Sequence, residues 1–117
     1  MKKLTLKELT LKELNLKRAN LKRANLKGAD FEGANLREAN LKKANLVGAN
    51  LKDAYLREAN LEKANLEEAN LELAFLGEAY GLSLDQLSKV KTLYNANLDD
   101  KFLIPLKEKY HALFESL

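Results

Sequence analysis

A large apolar residue returns every five positions over most of this chain, and few folds tolerate that spacing. The positions are Leu6, Leu11, Leu16, Leu21, Leu26, Phe31 and Leu36, continuing through Leu76. Two residues before each stands Leu4, Leu9 or Leu14 at the start, then Ala19, Ala24, Ala29 and onward to Ala79. Mostly Asn lies between, so the units read ANLKR, ANLKG, ANLRE, ANLEE. In an α-helix five residues advance about 500°, roughly 140° net, and the leucines would spiral around the axis. In a flat strand successive leucines would fall on opposite faces, because side chains alternate with period two. Within one unit, however, Ala and Leu are two apart and share a side. The pattern therefore predicts a short extended stretch, a corner, and repetition. The chain coils, buries Ala and Leu inside, and pairs backbones between coils at about 4.8 Å.

The A-N-L-x-x tandem over residues 4–80 resembles the pentapeptide-repeat family. The resemblance implies a β fold, a right-handed quadrilateral parallel β-helix in which four units make one 20-residue coil. It places Leu6 to Leu76 and Ala19 to Ala79 inward. It leaves Asn20, Asn25 and Asn45 outward, hydrogen-bonding the turns. Fifteen units then give nearly four coils, roughly 18 Å of stacked height.

Both ends depart from the repeat. Leu4, Leu9 and Leu14 replace Ala, and Thr5 and Thr10 replace Asn, which is read as an N-terminal plug over residues 4–15 filling the open end. The repeat stops at Tyr80–Gly81, giving a solenoid domain over 1–80 and a C-terminal helical cap over 81–117. A cap is needed because a solenoid end exposes unpaired edges and raw core. Ser83 and Gln86 form a capping-box pattern. Leu84, Leu87, Val90 and Tyr94 have helical spacing, predicting a helix near 84–94. Residues 95–98 are read as a connecting turn and Asp99 as the next N-cap. Leu103, Leu106, Tyr110, Leu113 and Leu117 make a second apolar stripe. Pro105 predicts that this helix is regular only from about 103–105 onward.

The composition excludes several chemistries. The chain has no Cys, hence no disulfide and no thiolate. Its lone His111 has no Ser or Cys partner in a recognisable motif, and no phosphate-binding glycine loop or Cys/His metal spacing occurs. Gly28, Gly33 and Gly48 fall at corners, where they serve turn geometry. No apolar run approaches a membrane span or a signal peptide. The expectation is a soluble, cytoplasmic, non-enzymatic protein with no cofactor, no metal and no membrane partner.

Charge is uneven. Residues 1–52 sum to +8 and residues 53–117 to −5, within a net charge of +3. A 20-residue coil stacks these charges into columns. Lys12, Glu32, Lys52 and Glu72 alternate and predict surface ion pairs. Glu38, Glu58 and Glu78 form an acidic column, read as solvated. Lys17, Arg37 and Arg57, and on the next face Arg23, Lys43 and Lys63 with Lys22 and Lys42, form basic columns able to track phosphates. No aromatics interleave with them, so nucleic acid is not an expected partner.

Tyr55 and Phe75 replace Asn 20 residues apart and should stack on one outer wall. Leu73 is at an outward corner, and Tyr80 opens the cap. These four residues are the candidate protein-contact surface. The C-terminal helices are expected to fold over Leu73, Phe75 and Tyr80, leaving Tyr55 as the better contact. The function that fits is a structural or protein-interaction scaffold, with an unidentified protein partner or self-association as a homodimer. Two other readings stand beside it. Some pentapeptide-repeat proteins imitate duplex DNA and regulate DNA gyrase or topoisomerase, although the basic N-terminal half fits that role poorly. The uniform repeats also fit an engineered consensus-like scaffold.

Overall fold

The structure is a computed structural model that describes residues 5, 6 and 9–116. Leu4 of the N-terminal plug and Leu117 of the second stripe lie outside the described residues. The backbone climbs in square rungs. Outward residues 20 apart are joined by parallel bridges: Asn25 to Asn45 and Asn65, Asp30 to Asn50 and Asn70, Asn35 to Tyr55 and Phe75, Asn40 to Asn60 and Tyr80. Each wall pairs with its neighbour at a single bridge, because five residues leave no length for a longer strand.

The physical unit is a wall plus a turn. The Leu46 carbonyl accepts from Ala49 N at 3.0 Å, closing the corner, while Leu46 N donates to the Asn65 carbonyl of the rung above at 2.8 Å. Asn65 N donates back down to the Ala44 carbonyl at 3.0 Å. The outward Asn holds the corner open: Asn45 Oδ1 accepts from Val47 N at 3.1 Å, and Asn20, Asn25, Asn35, Asn40, Asn50, Asn60, Asn65 and Asn70 do the same for the residue two ahead. Asp30 substitutes with the same geometry, at 3.0 Å to Glu32 N. This side-chain bond supports a left-handed residue at the corner. Gly48 adopts φ 67° there, but Arg23 at 60° and Glu68 at 60° hold the same conformation. The corner therefore accepts charged side chains as well as Gly, and Glu58 and Glu78 adopt it even after Tyr55 and Phe75.

Ala24 to Ala74 and Leu21 to Leu76, with Phe31, are buried and form one continuous core. At the N-terminal end Leu6, Leu11 and Leu16 pack on that core. Leu9 and Leu14 do not; they stay 48% and 46% exposed. Among the described residues they therefore cover the end only in part, which corrects the plug reading for these two side chains.

The cap differs from expectation more sharply. Helix α1 is Leu84–Ser88, not 84–94. Its capping box is as predicted, with Ser83 and Gln86 serving each other's backbone amides at 2.8 and 3.1 Å. After α1 the chain rejoins the stack. Thr92 bridges Asn70 and Asn97 bridges Phe75, so residues 95–98 are a further repeat unit and not merely a turn. Leu93 and Leu98 bury themselves as repeat leucines, which outweighs the helical spacing of Val90 and Tyr94. Helix α2 is Asp100–Lys109 and carries Pro105 inside, starting before the predicted 103–105. Burial of Phe102 and Leu106 holds that turn although Pro105 cannot donate to the Lys101 carbonyl. The stripe breaks at Tyr110 (φ −130°, ψ 48°) and ends in a 3-10 turn, His111–Phe114.

Candidate functional site

The outward aromatics arise because the 20-residue register lifts Tyr55 and Phe75 from the same position on successive rungs. Their rings lie 4.9 Å apart and 4° from parallel. Arg37 places its guanidinium 4.6 Å from the Tyr55 centroid, extending the column as a cation–π contact. Neither aromatic can accept from the residue two ahead, so this wall gives up the Asn clamp there. Gly77 N instead donates to Asn97 Oδ1, at 3.2 Å, on the rung above.

The cap does not cover this column. Phe75 is 43% and Tyr80 59% exposed, which corrects the expectation that the C-terminal helices fold over them. The reason is directional: α1, α2 and Leu98 close the axial end, whereas these rings leave the walls sideways. Leu73 is half-buried at its corner. Tyr80 bridges Asn60 on a different wall from Tyr55 and Phe75, so the four candidate residues do not form one patch. What gathers beside Tyr55 and Phe75 is an open hollow of about 410 Å³, lined also by Arg37, Arg57, Gly77, Glu78, Asn97 and Asp99. Sequence reasoning missed Asn97 because residues 95–98 were read as a turn, although the Ala96–Asn97–Leu98 triplet was the signal; Asp99 is the N-cap of α2 as predicted, but its side chain makes no cap bond and lines this hollow instead.

The charge columns separate into two kinds. Lys12 pairs with Glu32 at 3.8 Å and Lys52 with Glu72 at 3.9 Å, as the alternation predicts. The basic column of Lys17, Arg37 and Arg57 is offset locally: Lys17 lies 4.0 Å from Glu38, Arg57 pairs with Glu78 at 3.1 Å, and Arg37 rests on Tyr55. Glu38 also meets Arg18 at 3.2 Å. The column of Arg23, Lys43 and Lys63 makes no ion pair among the described residues. Lys43 is held below the usual lysine range, first by the Arg23 charge, then by desolvation, then by Lys63, Lys42 and Lys22. No group of three His, Cys, Asp or Glu among the described residues is placed to hold a metal. His111 stands exposed, 4.0 Å from Glu115.

Stacked 20-residue rungs with an Ala–Leu interior and outward Asn clamps define a repeat solenoid. The family model of pentapeptide repeats matches residues 5–37, 15–53 and 34–72, and the chain belongs to that family. A pentapeptide-repeat protein from the thylakoid lumen of Arabidopsis thaliana is similar, at 27% identity and TM-score 0.70, over 90% of this chain and 75% of that one. Rfr23, from the cyanobacterium Cyanothece 51142, is 36% identical at TM-score 0.60, over 81% of this chain and 57% of its own. No curated protein sequence matches the chain.

Proposed function

We propose that this chain is a non-catalytic scaffold, a right-handed four-sided β-helix with a helical cap, that presents one outer wall to a protein partner. The observation that carries this reading is the Tyr55–Phe75 stack. At those two positions the repeat forgoes a side-chain clamp worth about 0.5–1.5 kcal/mol each, and in its place Phe75 stands exposed over a half-buried Tyr55. A partly exposed aromatic column beside a hollow, on a wall otherwise built of Asn, has the character of a contact surface. The membership in a family of structural repeat proteins supports the absence of catalysis, and the regular backbone supports rigidity.

Site-specific photo-crosslinking tests it. A benzophenone side chain at position 75 should capture a defined protein in the source cell, and the same group at position 60, on another wall, should not. Tyr55→Asn with an unaltered melting temperature should compete poorly for the captured protein. Equal capture from both walls would overturn the reading.

A further inference from the structure

At the corners that follow the Asp30–Asn50 and Asn35–Tyr55 walls, cations meet carboxylates about one rung away, as in Lys12–Glu32, Lys52–Glu72 and Arg57–Glu78. Another corner is predominantly basic. It follows the wall of Asn20, Asn40 and Asn60 and carries Lys22, Arg23, Lys42, Lys43 and Lys63, with Glu62 as its one carboxylate. Glu62 is engaged by Lys42 at 3.6 Å. Arg23, Lys43 and Lys63 occupy the same left-handed corner position on three successive rungs, with φ of 60°, 59° and 57°. The rungs are locked in register by Arg23 N to the Lys42 carbonyl and Lys43 N to the Glu62 carbonyl, both 2.9 Å. The three cations therefore rise in a line at about 4.8 Å per rung. The depressed Lys43 ammonium reports their mutual repulsion, with Arg23 the largest contributor.

A line of cations fixed by backbone geometry is relieved by a line of anions. The corner is convex and its flanks are Asn ladders, 20/40/60 on one side and 25/45/65 on the other. The one aromatic on these two walls among the described residues is Tyr80, on the rung above Asn60. Bases therefore have no stacking platform along the ridge, and only charge is available for recognition. A thin flexible anion can follow a narrow ridge, whereas a wide one touches it along a single edge.

We propose that the ridge of Arg23, Lys43 and Lys63, flanked by Lys22 and Lys42, binds a linear chain of phosphates, with inorganic polyphosphate as its ligand. This site is separate from the Tyr55–Phe75 wall and does not depend on the scaffold reading.

The test is fluorescence anisotropy on the full chain with labelled polyphosphate and, in a second arm, a single-stranded oligonucleotide of equal phosphate number, across a salt series. Polyphosphate should bind, more weakly as salt rises, and at least as tightly as the oligonucleotide. The triple variant Arg23→Gln, Lys43→Gln, Lys63→Gln should lose about tenfold or more in affinity and flatten the log–log salt slope by about 2. A control triple, Lys27→Gln, Lys91→Gln, Lys101→Gln, removes the same charge elsewhere and should stay close to wild type. Thermal melts confirm that both variants fold. Equal losses in the two triples would mean attraction to net charge only and would overturn the proposal. So would no polyphosphate binding, or much tighter oligonucleotide binding, which would assign the ridge to nucleic acid.

Discussion

Thr92 pairs with Asn70 across 22 residues, while the bridges between residues 5 and 80 span 20. The two extra residues are absorbed by α1, which replaces one wall of the last rung. Thr92 then does the work of a repeat asparagine: its Oγ1 accepts from Tyr94 N at 3.1 Å, and its hydroxyl reaches the Leu113 carbonyl at 3.4 Å. Leu93 N donates to the same carbonyl at 2.7 Å. The last rung and the 3-10 turn are thus tied through one buried position.

Thr92→Val should therefore destabilise the fold although it keeps the shape. It removes the acceptor for Tyr94 N at a site only 1% exposed. A cost of about 1–3 kcal/mol is expected. Chemical denaturation measures it, and an unchanged midpoint would refute the role.

Gln86 closes the rung beneath α1. Its side-chain amide donates to the Leu61 and Ala64 carbonyls at 2.8 and 2.9 Å, and its Oε1 accepts from Ser83 N. Gln86→Glu keeps the acceptor but loses both donations and sets a carboxylate against two carbonyls. It should cost more than Ser83→Ala, which removes only the N-cap, worth about 0.5–2 kcal/mol. Paired thermal melts decide the order.

The core should be intolerant in both directions. Leu56→Ala empties a fully buried position and should cost about 2–5 kcal/mol. Ala44→Leu overfills the space between walls and should cost about 1–3 kcal/mol. Leu9→Ala, at a half-exposed end position, should change stability by only about 0.5 kcal/mol. A large loss at Leu9 would show that the end is better packed than the structure has it.

Tyr55→Asn exchanges a ring stack for a corner clamp. The two are worth similar amounts, about 0.5–1.5 kcal/mol each, so stability should barely move. Tyr55→Ala loses the stack without regaining the clamp and should melt lower. If both variants melt alike, the regained clamp contributes nothing; if Tyr55→Ala melts with the wild type, the aromatic pair contributes nothing to the fold.

The five-residue period carried the coiling and the inward Ala and Leu; the four-unit rung, the Asn clamps and with them the Tyr55–Phe75 stack were legible through the resemblance to pentapeptide-repeat proteins. The Ser83–Gln86 box was legible because its chemistry is local. The length of α1 was not. Leu84, Leu87, Val90 and Tyr94 satisfy a helical stripe, while Leu93, Ala96 and Leu98 satisfy the repeat, and only packing against the rung below decides between them. Pro105 misled for the same reason: the burial of Phe102 and Leu106 lies outside the local sequence. The divide between the two basic columns was hidden too, since partners such as Glu38 and Glu78 reach their cations from one rung away.

The rung of Thr5, Thr10, Asn15 and Asn20 is bridged on one side only among the described residues, whereas the opposite end is locked by Gln86 and Thr92. Among the described residues no bridge joins positions more than 22 apart, so no distant closure between them holds the coil shut. Such a molecule unravels like a knitted edge, one loop at a time from the lower end. Amide exchange should accordingly grade upward along the axis, fastest in the first loop and slowest beneath the helices.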